Sequence, residues 1–194
     1  MINYLGRQAA RLAAVGLLAA GISLAGCSYT GPSQSASQSV QRQQIEADAN
    51  ATLSKLYANA PGARQLINNA SGVLVFPSVV GGSFLVGGEY GRGVLREHGT
   101  TTGYYSIGGG SFGFQAGVQS RAVILVFTND QALRDFKSSS GWSVGADAAV
   151  NLITVGASGY VDSSVANRPV VGFVLTNLGL SGGVSLHGSK VTPL

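Results

Sequence analysis

The sequence predicts an α+β fold, mainly β: an antiparallel, Gly-rich β-barrel or sandwich with N-terminal helices and one inserted helix. Three patterns carry this expectation. Apolar residues recur at helical spacing between residues 39 and 58, short apolar or alternating runs broken by glycines begin at Gly72, and one capped amphipathic stripe stands near residues 129–138. The 194 residues are 45% hydrophobic, enough for the core of one domain, so a disordered polar chain is excluded. Glycine accounts for 29 residues and charged residues for only 10%, which describes a weakly charged body with many backbone corners.

In the first helix, expected from about Ser39 to Ala58, Ile45, Ala49, Leu53, Leu56 and Tyr57 share a face. Pro61 suits the first turn of a second, short helix whose buried side is Ala63, Leu66, Ile67 and Ala70, with Gly72 closing it at C′. The strand from Val73 to Phe76 is expected to stop at Pro77, and runs at 83–97 and 102–107 follow. Alternation at 110–118 places Phe112, Phe114, Ala116 and Val118 on one face. The run Arg121-Ala-Val-Ile-Leu-Val-Phe127 reads as a fully buried strand. Thr128 or Asn129 caps the inserted helix, whose stripe is Ala132, Leu133 and Phe136. Further strands are expected at 142–150, 154–161, 170–176 and 181–191. Gly-Gly-Ser-Phe occurs at 81–84 and again at 109–112, with looser echoes at 141 and 179; spacings of 28, 32 and 38 residues are compatible with a duplicated hairpin and too uneven for a solenoid.

The N-terminus reads as a bacterial lipoprotein signal over residues 1–26. Arg7 and Arg11 precede the apolar run from Leu12 to Leu24, and Leu24-Ala25-Gly26-Cys27 looks like a lipobox. Cys27, the sole cysteine, is thus the expected lipid-attachment site, and residues 27–39 form a polar tether ahead of the domain at 40–194. Ser28 stands where an Asp would resemble an inner-membrane retention signal, so the expected address is the bacterial outer membrane, lipid-anchored and periplasm-facing. Cleavage would remove two arginines and no acidic residue, lowering the formal charge from +4 to +2. That balance and the export signal argue against nucleic acid.

Several motifs match chemistry without its context. Gly-x-Ser-x-Gly occurs at 109–113, 141–145 and 179–183, and Ser143, Asp162 and His187 follow the chain order of a hydrolase triad. The αβ alternation that such a nucleophile elbow needs is missing from the pattern. The Gly-x-Gly-x-x-Gly at 108–113 leads into a strand-like run, so no helix N-terminus is expected to receive a pyrophosphate. His98 and His187 read as surface or half-buried residues, and Asp147 as a hydrogen-bonded structural carboxylate. One Cys and two His exclude the common zinc sites, and the carboxylates lack the spacing of a metal loop. The expectation is therefore no cofactor, no metal, no catalytic set and no enzymatic activity.

The stretches Gly72-Val-Leu-Val-Phe-Pro77, Gly87-Gly-Glu-Tyr-Gly-Arg-Gly-Val-Leu95 and Gly113-Phe-Gln-Ala-Gly-Val-Gln119 resemble the SYLF domain family. So do Asn129-Asp-Gln-Ala-Leu-Arg-Asp-Phe136, Trp142-Ser-Val-Gly-Ala-Asp-Ala-Ala149 and the segment from Gly179 to Lys190. Eukaryotic members bind phosphoinositides and, in yeast actin-patch adaptors, actin filaments; bacterial members include exported lipoproteins. A periplasmic address removes actin from consideration, so the resemblance implies a lipid- or membrane-associating module. Binding an anionic, phosphoinositide-like headgroup needs clustered cations. Arg92 and Arg96 share a strand face, and Arg134 and Lys137 lie one helical turn apart, away from the buried stripe. These four are the candidate headgroup-binding residues, with ordinary solvated charge as the competing reading. The expected partners are the membrane, through acyl chains, and anionic phospholipid. The alternative is an envelope scaffold that binds a protein or peptidoglycan.

Overall fold

A computed structural model describes residues 34–84, 86–112, 117–153, 167–176, 179–180, 186 and 188–194. Helices α1 (Gln34–Asn59) and α2 (Gly62–Asn68) come first, followed by strands β1 (Gly72–Phe84), β2 (Val86–Glu97), β3 (Thr100–Phe112) and β4 (Gly117–Phe127). Helix α3 (Asp130–Ser138) precedes the shorter strands β5 (Trp142–Ser143), β6 (Val150–Leu152), β7 (Val170–Thr176), β8 (Gly179–Leu180) and β9 (Lys190–Pro193). The described strands form one sheet, curled into a half-barrel, in the order β5-β9-β3-β2-β1-β4-β7-β6 with β8 on β7. The mainly-β α+β class holds. Every pairing is antiparallel except β6 with β7. At its centre the fourth strand returns beside the first, β3-β2-β1-β4, the Greek-key order.

Both faces of this sheet carry apolar residues, and each is covered. On one face Val73, Val75, Val94, Ile124, Val126, Val171 and Phe173 pack against Ala49 and Leu56 of α1 and Ala63 of α2. On the other, Leu74, Phe76, Leu95, Val123, Leu125, Phe127 and Val174 pack against Leu133 and Phe136 of α3 and against Trp142. Aromatic rings tie this second core together: Phe136 lies 4.8 Å from Phe127, 4.9 Å from Tyr105 and 5.5 Å from Trp142, centroid to centroid. The near-continuous apolar run of β4 and β7 follows from burial on both sides.

Pro77 does not stop the first strand. β1 continues through it with a bulge, its register jumping between Val75 and Ser78 against β2 and between Phe76 and Val79 against β4. A proline brings no N–H to a ladder, so the irregularity is where it fits. The extra residue inverts the alternation: Val79 joins Leu74 and Phe76 in the α3-side core, and Val80 turns to the α1 side. Opposite the bulge, a Cβ on Gly93 would lie 2.5 Å from Phe76 Cδ1 and collide with the Val75 carbonyl, so no side chain fits there.

Other expectations shift for local reasons. α1 starts at Gln34, ahead of Ser39 and inside the expected tether; residues 37–44 are all exposed, so no packing signal marks that start. Asn69 rather than Gly72 caps α2, and Gly72 opens β1, where a Cβ would come within 2.8 Å of Leu133 Cδ1. The strand expected at 110–118 is divided between the end of β3 and the start of β4, because both flanks alternate and no turn residue other than glycine separates them. These strands stand three places apart in the sheet, so the second Gly-Gly-Ser-Phe does not lead into a hairpin as the first does. The run 142–150 is likewise two short strands around a turn at 145–147, with Gly145 at φ 91°. Of the run expected at 181–191, residues 181–185 and 187 lie outside the described residues; Gly188 is in a turn and β9 starts at Lys190. Asn129 caps α3 as expected, its side chain accepting the Ala132 N–H at 2.9 Å. Cys27, the strand expected at 154–161, Phe114, Ala116, Asp162 and His187 lie outside the described residues.

The bulge makes a direct prediction. Gly93→Ala should lower stability by about 2 kcal/mol or more, since overpacking beside main chain has no flexible side chain to absorb it. The urea-unfolding midpoint measures this; an unchanged midpoint would show that β1 and β2 are not in contact at the bulge as described.

Candidate functional site

Arg92 and Arg96 of β2 point to the α1 side of the sheet, as their spacing requires. Their surroundings differ. Arg96 is tied down: Nη2 donates to Glu46 Oε2 at 2.6 Å and Nη1 to Asn50 Oδ1 at 2.7 Å, both on α1. Glu46 also accepts the Thr101 hydroxyl at 2.6 Å and the Tyr104 hydroxyl at 3.2 Å, both from β3. Burial would raise the Glu46 carboxyl, but the bonds from Thr101 and Arg96, the Arg96 charge and the Tyr104 bond outweigh it and hold the group below its usual 4.5. Burial and the Glu46 bond push the Tyr104 hydroxyl up. This cluster clamps α1 across β2 and β3.

Arg92 keeps an un-neutralised charge. It is exposed, its Nε donates to the Tyr90 hydroxyl at 3.1 Å and its Nη1 to Gln41 Oε1 at 2.9 Å, and both acceptors are neutral. Since Gln41 meets Arg92 while Glu46 and Asn50 meet Arg96, α1 runs alongside β2 in the same direction. Its N-terminal turns therefore extend toward the Tyr90 end of the sheet. Arg42, next in the chain, lies over the Tyr104 ring at 5.0 Å.

Cross-strand register completes this surface. Tyr90 pairs with Val80 on one side and with Gly108 on the other, and Gly108 pairs with Lys190. The neighbouring row is Ser78, Arg92, Ser106 and Thr192. Neither row contains a carboxylate, and among the described residues neither Arg92 nor Lys190 makes an ion pair.

Arg134 and Lys137 sit on α3, across the sheet from Arg92 and Arg96, so the four candidates form two pairs on opposite faces. Lys137 Nζ is paired with Glu97 at 2.7 Å, and Arg134 donates to Gln131 Oε1 at 3.0 Å. The Lys137 bond, with one from Thr102, holds Glu97 below its usual value. On the α3 side the sheet also carries an interior ion pair. Arg121 Nη2 donates to Glu89 Oε2, Ser189 donates to Glu89 Oε1 at 2.7 Å, and Arg121 Nε is buried with no partner among the described residues. The sequence placed Arg121 at the mouth of a buried strand but offered no signal for Glu89, 32 residues away, because only register joins them. Lys190 and Val80 were missed for the same reason, and Val80 also because the bulge reverses its face. Asp147 is a structural carboxylate as expected, though exposed: it accepts the Ser143 N–H at 2.6 Å. His98 sits with Gly99 in the tight β2–β3 turn, both at positive φ.

Residues 108–193 match the model of a family described as Ysc84, Las17-binding protein actin regulator. This region belongs to the Ysc84, or SYLF, family. The SYLF match takes in the end of β3 and everything after it, including α3 and the Glu89 partners Arg121 and Ser189. Arg92, Tyr90 and α1 lie before the SYLF match, yet β1 and β2 occupy the middle of the same sheet. Among curated proteins, none matches the chain.

The clamp predicts an acid effect with a definite sign. Glu46 and Glu97 have depressed pKa values, so the stability they contribute is present above their ordinary value near 4.5 and is lost as pH falls through the folded values. Glu46→Gln should cost about 1–2 kcal/mol at pH 7, a partly buried charge-assisted network being removed. The gap between wild type and variant should narrow as pH falls from 7 to 3. Urea midpoints at the two pH values check this; a deficit that grows in acid would contradict it.

Proposed function

We propose that the chain is an outer-membrane lipoprotein, anchored through acyl chains on Cys27 and facing the periplasm, whose domain binds anionic phospholipid headgroups. The observation that carries this reading is Arg92. A guanidinium exposed to solvent and hydrogen-bonded, among the described residues, only to neutral groups keeps its whole charge for an external anion, with Arg42 and Lys190 on the same side of the sheet. The lipobox-like Leu24-Ala25-Gly26-Cys27 and the SYLF match support it. Attraction of this kind is weak per residue and serves a domain that a lipid anchor already holds near the surface.

On this reading the four candidates are unequal. Arg96 and Lys137 act mainly inside the protein through Glu46 and Glu97, and Arg134 faces away from Arg92. Residues 28–194 hold both apolar cores and every described contact, so this form, without acyl chains, is the one to sediment with vesicles. It should bind anionic vesicles over zwitterionic ones and release as salt rises. Arg92→Gln should weaken binding roughly fivefold, as about 1 kcal/mol per basic group implies, and Arg134→Gln by less than twofold. Equal affinity for both vesicle types, or a larger loss in Arg134→Gln, would overturn the proposal.

A further inference from the structure

Four large apolar side chains are exposed among the described residues: the C-terminal Leu194, at 60%, and three that belong to α1, β1 and β2. Val80 is 45% exposed, Tyr90 52% and Val40 64%. Val80 and Tyr90 are direct cross-strand partners, Tyr90 holds Arg92, and Arg92 holds Gln41, the residue after Val40. Val80, Tyr90 and Arg92 therefore form one patch, apolar and aromatic at its centre with a cation beside it. We propose that the α1 side of the sheet lies against an anionic bilayer with Tyr90 and Val80 inserted among the headgroups, giving a contact that salt does not remove. The inference rests on the membrane-binding reading above and adds to it an orientation and an apolar component.

Three features select a phospholipid surface as the occupant. The first is charge: Arg92 bonds the Tyr90 hydroxyl, Lys190 stands in the Val80–Tyr90 row, and the two sheet rows that carry the patch have no carboxylate. The second is chemistry. Tyrosine places a ring against acyl chains and a hydroxyl in the wet headgroup layer, and here that hydroxyl already accepts from Arg92, which itself suits phosphate. The third is reach. From Gln41, α1 runs back to Gln34 over about 10 Å, and six residues separate Gln34 from Cys27, at most about 25 Å of extended chain. An acylated Cys27 therefore leaves the α1 side beside the membrane that holds it, whereas α3 is on the far side of the sheet.

Tyr90→Trp in residues 28–194 tests the insertion, with vesicles of anionic phospholipid brominated on the acyl chains. The native Trp142 is 3% exposed on the α3 side and serves as an internal reference. The emission of the introduced indole, read as the difference from wild type, should shift to the blue and be quenched at low salt. Both effects should persist at about 0.5 M salt, where exposed charges are largely screened. A Val80→Ser, Tyr90→Ser double variant, checked for native circular dichroism, should lose roughly tenfold in the salt-resistant partition, as removal of that apolar area implies. Vesicle binding with the introduced indole left unquenched, or an unchanged salt-resistant partition in the double variant, overturns the insertion and leaves the electrostatic reading standing. Absence of wild-type binding to any vesicle overturns both.

Discussion

A sheet that is apolar on both faces must be covered on both, and this requirement organises the molecule. β1, β4 and β7 supply valines, leucines and phenylalanines to two cores at once, so α1 and α2 are needed on one side and α3 with Trp142 on the other. The helices cover only part of each face. Past the Pro77 bulge the α1 side turns polar and partly open, while the α3 side receives Val79 and then the Glu89–Arg121 pair. One inserted residue in β1 therefore decides which side chains lie inside and which meet the surroundings.

The charged residues divide along the same line. Arg96 and Arg121 are structural, the first clamping α1 through Glu46 and the second bonded to Glu89 on the α3 side of the sheet. Breaking such a pair by removing one partner strands the other charge, so neither arginine is available to a ligand without loss of stability. Arg92 differs because its partners are neutral. The proposed contact with phospholipid accordingly depends less on how many cations the domain has than on which ones its own carboxylates leave unneutralised.

Much of this was legible in the residues. The stripe Ile45, Ala49, Leu53, Leu56 placed α1, Asn129 and Leu133 placed α3, and the run 121–127 announced a strand buried on both sides. Alternation also put Arg92 and Arg96 on one face. What stayed hidden was non-local. Pro77 looked like a strand end because a bulge is visible only once both neighbours are known. Glycine-rich alternation at 110–118 and 142–150 looked continuous because the turns there use the same small residues as the strands. The opposition of Arg134 to Arg92, the Glu46 clamp and the Val80–Tyr90–Lys190 row all follow from register and packing, which no local spacing encodes.

The central claim is that the α1 side of the sheet, and not the α3 side, meets the membrane. Spin labels placed singly at exposed Ser78 on the α1 side and at exposed Ser138 on α3, in a Cys27→Ser background, measure it through their relative accessibility to oxygen and to a polar nickel reagent on anionic vesicles. The account predicts that the label at 78 moves toward the oxygen-rich, nickel-poor environment of the bilayer while the label at 138 keeps its solution values. A label at 138 that enters the bilayer while the one at 78 stays in water would contradict it.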